Sequence, residues 1–553
     1  MGTRRLRQHR GVTGALVLAL CLLMLSGAAA RAQAEPPLGD FKPSQVVVEL
    51  RTTGGNQSGQ NNKEKLKKIN ADYGTSTRES LPSNSGVFLL NVPAGSSVQK
   101  TVSQMASDQR LLYAEPNYIV RMFDGEGRHR SWGVSDAEPS PQENAASALN
   151  LSSAHGISLG KGATVAVLDT GVQLDHPALA SNFQDVPRHD FVGNDDEPLD
   201  IAKGADEDGD GLKDEMVGHG THVAGIVDLV APMAKIMPLR VLDTEGIGDD
   251  FTIAEAMSYA ESNGADVINL SLGSPSRARV LESVSKDAIE HGVLVVAAAG
   301  NSNSAAPMYP AAGSQVGAPS GGLVAVTSVN MYGEKSDFAN YGPWVDIAAP
   351  GEGVRSAFPV SKYAYWSGTS MATPFVSGEA ALIRAVYGTL DPTGVAERIS
   401  CSARPLVDID PSYAAKLGAG HADVAASLAP GACDTTAPPD TTITAAPWGL
   451  TNSASATFAF SSSEARSSFQ CRIDGAPFGA CTSPKDYANL ANGQHTFVVR
   501  TTDAQGNTDS TPASRTWTVD TTAPNASAVD SPTTVAPTPG TQPFRVRPSS
   551  SSR

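Results

Sequence analysis

The sequence predicts an α/β fold: a parallel sheet with helices on both faces, preceded by a small α+β unit and followed by a β-sandwich module. Three observations carry that prediction. Between about residues 160 and 400, runs of Val, Ile and Leu alternate with stretches of helical periodicity, the pattern of strands covered on both faces by crossover helices. Upstream, residues 44–123 hold three β-branched runs around one helical stretch. After Cys433 the texture turns to Thr, Ser and Ala, with short apolar runs separated by turns, as in a sandwich.

The elements follow in order. Arg4, Arg5, Arg7 and Arg10 precede the apolar stretch "GVTGALVLALCLLMLSGAAA", and small-x-small sites end at Ala32 and Ala34. Residues 1–34 therefore read as a signal peptide rather than an uncleaved anchor, with the general and twin-arginine export routes both open. No other stretch approaches the ~18–20 apolar residues that span a bilayer. In residues 35–123, "QVVVEL", "GVFLLNV" and "YIVRMF" predict strands, and Val98, Val102 and Met105 keep helical spacing. In residues 124–433, "ATVAVLD", "KIMPLRVL", "DVINLSL", "VLVVAAAG", "LVAVTSV" and "WVDIAAPG" predict strands. Helices over 251–263 and 278–291 close on Gly264 and Gly292. Residues 434–524 form the third module, with strands "SATFAFS", "HTFVVRTTD" and "SRTWTVD" between two copies of "DTTAP". The Pro/Thr/Ser-rich tail 525–553 has no apolar pattern with which to fold.

Charge divides unevenly. Residues 35–123 carry 10 basic and 8 acidic side chains, net +2, whereas 124–553 carry 26 and 49, net −23. A strongly acidic body argues against nucleic acid or an anionic membrane as partner, and a slightly basic leading segment suits it as a cognate. Beyond Cys21 there are four cysteines. In an exported chain they read as two disulfides out of three connectivities, the sequence-local pairs Cys401–Cys433 and Cys471–Cys481 being preferred.

The chemistry gathers at element ends. "VAVLDTGV" puts Asp169 at the end of a buried strand. "GHGTHVAGIV" opens a helix with His219 and His222 three apart, and its apolar Val223, Ile226, Val227 and Val230 face a core. "WSGTSMATPFVSG" sets Ser370 at the start of another helix, where backbone N–H groups are free for a developing oxyanion. Asn301 leaves a strand end in "VAAAGNSN" with an amide able to donate. A serine becomes a nucleophile when an imidazole takes its proton and a buried carboxylate fixes that imidazole. The two histidines could also reach one metal ion, but the neighbouring sequence lacks the glutamate and third ligand of a His-pair zinc site.

These four motifs, in the order Asp–His–Ser, resemble the signatures of the subtilisin-like serine proteases over about residues 130–430. The resemblance implies a subtilisin-like fold with Asp169 as orienting carboxylate, His219 as general base then acid, Ser370 as nucleophile and Asn301 as oxyanion donor. It leaves His222 as a packed or hydrogen-bonded histidine. It implies a secreted endopeptidase acting on protein or peptide substrates. Gly246, Ile247 and Gly248 resemble one substrate-binding strand of that family, and Ser271, Leu272 and Gly273 the other. "LPSNSGVFLLNVPAG" and "YAEPNYIV" resemble an inhibitory propeptide, so that 35–123 would act as the enzyme's own inhibitor and be removed autocatalytically. Residues 434–524 resemble immunoglobulin-like repeats of secreted bacterial proteins, which points to a surface partner of unknown identity.

The chain departs from the family around calcium. Only "DLV" separates "GTHVAGIV" from "APMAKIMPLRVL", and Ala178 stands where an aspartate often contributes to the same calcium loop. "ADEDGDGLKDE" instead offers Asp206, Asp208, Asp210 and Asp214 among glycines as a Ca2+ loop. The alternative is a solvated acidic insertion. Twelve acidic residues against three basic ones between Asp185 and Glu215 predict a self-repelling segment that a cation would relieve. Two rivals to the protease reading are a catalytically idle binding scaffold and a metallopeptidase.

Overall fold

The structure is a computed structural model that describes residues 40–51, 58–81, 86–122, 131–136, 144–204, 206, 211–313, 321–413, 415–430, 432–433, 440–464, 467–503 and 507–522. The expected signal peptide, the Pro/Thr/Ser-rich tail, Asp208 and Asp210 lie outside these residues. Among the described residues no helix is long and apolar enough to cross a membrane. The chain divides into two compact units at about residue 437.

The first unit is built on a seven-stranded sheet. In order across the sheet the strands are Ile347–Pro350, Leu323–Val329, Leu294–Ala298, Val267–Leu270, Thr164–Asp169, Lys235–Arg240 and His189–Asp190, and every neighbouring pair is parallel. Because both faces are covered, these strands carry apolar residues at successive positions, and Val267–Leu270 and Leu294–Ala298 are buried at every residue. Val223, Ile226, Val227 and Val230 of the helix His219–Val230 are fully buried in the same core, as are Phe375, Val376, Ala380 and Ile383 of Thr369–Val386. Helices Asp250–Ser262 and Arg279–Glu290 are followed by Gly264 at φ +82° and Gly292 at φ +95°, where a side chain would be strained.

The leading segment is an antiparallel sheet in the order Ser76–Ser80, Val87–Asn91, Phe41–Leu50, Leu111–Arg121. Strand alternation splits its side chains between two cores. Val46, Val48, Leu50 and Leu90 pack with Leu66 and Ile69 of helix Ser58–Tyr73 and with Val98 and Met105 of helix Val98–Met105. Val47, Leu89, Tyr113 and Val120 point the other way, into the core of the large sheet.

The second unit pairs a three-stranded sheet (Thr441–Ala445, Ala456–Ser462, Lys485–Tyr487) with a five-stranded one (Leu450–Thr451, Ala513–Val519, Gly493–Thr502, Ser468–Ile473, Gly479–Cys481). They share a core around Phe458, Phe497 and Trp517, with Phe458 stacked on Phe497 at 4.1 Å. The disulfides Cys401–Cys433 and Cys471–Cys481 are both present, with Cα separations of 5.5 and 5.8 Å.

Candidate active site

The strand Thr164–Asp169 lies where the chain order reverses, with Val267–Leu270 on one side and Lys235–Arg240 on the other. The carboxyl end of such a strand opens onto a crevice, and Asp169 stands there, 1% exposed. Its Oδ1 accepts the Thr170 N–H at 2.8 Å and lies 2.8 Å from Nδ1 of the fully buried His219. An ionised carboxylate only accepts, so Nδ1 carries the ring proton and Nε2 is the basic nitrogen of the neutral ring. Trp366 stands edge-on to that ring at 5.2 Å.

The turn that delivers His219 is held by Asp200, a residue the sequence reading passed over. Asp200 Oδ1 accepts the Gly218 N–H at 2.8 Å, while Oδ2 accepts the Thr221 hydroxyl at 2.7 Å and its N–H at 3.2 Å. Burial is the largest influence on its acidity and pushes it up to about 6 against these donors. Gly220 must be glycine, since a Cβ there would sit 2.1 Å from the Gly171 carbonyl oxygen. Thr170 and Thr221, inside the quoted motifs, were legible as parts of a pattern; Asp200, buried in an acidic stretch, carried no such signal.

Ser370 is the second residue of the helix Thr369–Val386, in the turn whose N–H groups lack intrahelical acceptors. Its Oγ donates to the Ser271 carbonyl at 3.3 Å. Asn301 Oδ1 accepts both the N–H and the hydroxyl of Thr369 at 2.9 Å, and Thr369 Oγ1 accepts the Gly300 N–H at 3.0 Å. With Oδ1 so engaged, Nδ2 is the donor end of the amide. His222 is buried, with Nε2 3.1 Å from the carbonyls of both Val354 and Ala364. Desolvation, then the neighbouring His219, pulls its pKa down to about 3. It is a neutral donor to backbone.

The two expected peptide-binding strands already hold a peptide, the end of the leading segment. Ile119, Val120 and Arg121 pair antiparallel with Asp249, Gly248 and Ile247, and the Met122 N–H reaches the Gly246 carbonyl at 3.0 Å. On the other side Arg121 and Gly273 exchange N–H···O bonds at 3.3 and 3.4 Å. Leu272 between these contacts is fully buried.

Of the four aspartates expected to hold calcium, the structure describes Asp206 and Asp214. Asp206 accepts the Gly211 N–H at 3.1 Å, and Asp214 accepts the N–H groups of Lys203 and Gly204 at 2.8 and 2.7 Å. Among the described residues no three acidic, His or Cys side chains converge to hold a metal ion, and Asp208 and Asp210 lie outside those residues. Nor is the segment uncompensated. Asp190 pairs with buried Arg240, Glu197 with Arg188 and Asp196 with His189, at 2.8, 2.7 and 2.8 Å. Backbone donors and the guanidinium groups of Arg188 and Arg240 offset part of that crowding among the described residues.

Residues 160–425 match the subtilase family, and residues 27–117 match the fervidolysin N-terminal prodomain. Over 305 residues the chain is 35% identical to the thermophilic serine proteinase of Bacillus sp. (strain AK1), covering 53% of this chain and 68% of that protein. The chain belongs to the subtilase family. Thermitase of Thermoactinomyces vulgaris is 42% identical over 237 residues, 41% of this chain and 76% of that one. In fold the subtilase is similar to fervidolysin from Fervidobacterium pennivorans, described as a keratinolytic enzyme related to subtilisin. The TM-score is 0.57 at 18% identity, over 88% of this chain and 77% of the other. The protein is thus a serine protease of this family with an N-terminal prodomain.

Proposed function

We propose that this subtilase is a secreted endopeptidase working through an acyl-enzyme. Ser370 attacks the peptide carbonyl, His219 takes the hydroxyl proton and returns it to the leaving amine, and Asp169 fixes the ring and stabilises its cation. Asn301 and the Ser370 N–H receive the oxyanion. The observation that carries this reading is the buried 2.8 Å contact between Asp169 and His219 Nδ1, in a fold that sets Ser370 at a helix start. The domain plan is a signal peptide (1–34), an inhibitory propeptide (35–123) removed by the enzyme itself, a peptidase domain (124–433), an immunoglobulin-like module (434–524) with a surface partner, and a tail (525–553). The strand Leu111–Arg121 supports the inhibitory role, since a peptide bonded on both edges excludes substrate. Calcium stays outside this mechanism and is a matter of loop stability alone.

The test is active-site labelling. A sulfonyl fluoride or phosphonate should abolish hydrolysis and add its mass to Ser370, while chelators leave the chemistry intact. Full activity after labelling, with loss in chelator, favours the metallopeptidase. A protein that neither labels nor hydrolyses is a scaffold.

A further inference from the structure

We propose that Asn340 is a positioning residue for the oxyanion hole: its buried side-chain amide fixes the turn that presents Asn301. The proposal rests on the reading of Asn301 as donor to the oxyanion.

Asn301 belongs to the turn 299–304, which leaves the end of the strand Leu294–Ala298. Ser302 and Asn303 are exposed, and the backbone of the turn finds partners on its inner side, where Asn340 is fully buried. Asn340 Oδ1 accepts the N–H groups of Ser302 and Ser304 at 3.1 and 2.9 Å, and its Nδ2 donates to the Ala299 carbonyl at 2.9 Å. Its own N–H donates to the Gly300 carbonyl at 2.9 Å. One residue thus bonds the backbone both before and after Asn301. Gly300 permits this approach: it has φ +99°, and a Cβ there would sit 2.6 Å from Asn340 Nδ2.

Asn340 is itself held. The hydroxyl of buried Thr327 donates to the Asn340 carbonyl at 2.5 Å. Thr327 lies in the strand Leu323–Val329, which pairs with Leu294–Ala298 as far as Ala298 and Val326. Lys335 Nζ donates to the carbonyls of Ser336 and Ala339 at 2.8 and 3.0 Å, and to Asn303 Oδ1 at 2.9 Å. The connection therefore runs from the sheet, through Asn340, to the turn.

An oxyanion donor works where its N–H lies about 2.7–3.1 Å from the developing charge, and such placement needs a supporting shell of hydrogen bonds. Thr369 fixes the far end of the Asn301 side chain by engaging Oδ1, and Asn340 fixes the backbone at its near end. With both ends held, Asn301 Nδ2 is aimed. The fit is specific to an amide, because an ionised carboxylate could accept from Ser302 and Ser304 but not donate to Ala299, and alanine does neither. Gly246 and Gly273, which bond the prodomain strand, are not among the residues that Asn340 bonds. Loss of Asn340 should therefore fall on kcat and spare KM.

The test is peptide hydrolysis at pH 8 by mature enzyme, with active sites counted by a phosphonate label, as wild type, N340A, N301A and N301A/N340A. N340A should lower kcat about 10–100-fold, the scale for a slightly misplaced reacting group, with KM within about twofold of wild type. Where Asn301 is already alanine, N340A should lower kcat by less than about threefold more, since residues acting through one group are not additive. The same cycle is run with N340D, which keeps the volume and the acceptor oxygen and carries the test where N340A fails to mature. If N301A leaves kcat unchanged, the reading of Asn301 as oxyanion donor falls. If N301A lowers kcat while the Asn340 variants do not, or if they cost the same factor with and without Asn301, the positioning role falls.

Discussion

Prodomain affinity should weaken as pH rises. The prodomain strand buries Glu115 against the helix Arg279–Glu290, where its two carboxylate oxygens accept the N–H groups of Arg279 and Val280 at 2.9 and 2.8 Å. Burial dominates and pushes its pKa from 4.5 to about 7, against those two N–H groups and the Arg279 charge, with Glu282 adding repulsion. Beside it Asp250, buried at the start of the neighbouring helix, is raised well above its ordinary value by burial, then by Glu115 and Asp249. The Tyr118 N–H opposes that shift. Glu49, facing Ser283, Tyr113, Asp287 and Lys286, is also raised, chiefly by burial. In the complex Glu115 keeps its proton up to about 7, and in a released prodomain only to 4.5. The proton-linked stabilisation is therefore complete below about 4.5 and is lost as pH climbs to about 7, with Asp250 extending the loss upward. For Glu115 alone this amounts to about 3 kcal/mol, or on the order of a hundredfold in affinity. The assay dilutes the processed complex at pH 5 and pH 8 and reads residual peptidase activity, normalised to fully dissociated enzyme at each pH. The inhibition constant should be about a hundredfold weaker at pH 8, and E115Q and D250N should each flatten the dependence. An inhibition constant that ignores pH, or tightens toward pH 8, would refute the reasoning.

Asn301→Ala should fold and process slowly, with kcat down about 10²–10³-fold, the range known for the oxyanion asparagine of subtilisin itself; unchanged kcat would remove the residue from the mechanism. Asp200→Ala strands the buried donors of Gly218 and Thr221 and should cost about 2–3 kcal/mol in denaturant unfolding, with kcat falling more than KM rises and D200N recovering part. Glu379 is buried in the helix of Ser370, its pKa pushed up by burial from 4.5 to about 8. Its stabilising contribution is full below 4.5 and lost on the way to about 8, so melting of S370A between pH 6 and 8 should decline more steeply than that of S370A with E379Q. Calcium is checked by melting S370A with the ion and with chelator: a response abolished by changing Asp208 and Asp210 to Asn locates it in the 205–215 loop, and no response leaves that loop merely solvated.

The sheet was legible because its strands announce themselves twice, by continuous apolar runs and by the glycines that close the intervening helices. Both disulfides were legible from sequence proximity. Asp169, His219, Ser370 and Asn301 could be placed because each sits at the end of such a run within a distinctive local pattern. What escaped was chemistry supplied from a distance. Asp200 reaches the Gly218–Thr221 turn from 18 to 21 residues away, and nothing beside it marks it among its acidic neighbours. The strands Val354–Phe358 and Lys362–Trp366, whose carbonyls hold His222, were equally silent, their short polar-apolar mixture resembling a loop. In the acidic segment charge can be counted from sequence, but Arg240 meeting Asp190 across 50 residues cannot.

One residue inside the most recognisable motif explains how the two halves of the site stay in step. Pro374 lies within the helix Thr369–Val386, and having no N–H it cannot bond the carbonyl four residues earlier, which belongs to Ser370. A proline inside a helix is normally costly for that reason. Here the orphaned carbonyl receives the Ser271 hydroxyl at 2.9 Å, while Ser271's own carbonyl accepts from Ser370 Oγ. Asn269 adds a second tie, its amide meeting Ser271 Oγ at 3.1 Å and its carbonyl oxygen taking the Ser377 hydroxyl at 2.8 Å further along the same helix. The segment that grips the peptide through Gly273 and the helix that carries the nucleophile are thus joined by three hydroxyl contacts, all buried. A peptide held in register by one is positioned relative to the other without relying on a flexible loop, and positioning of this kind is what converts a bound peptide into a reacting one.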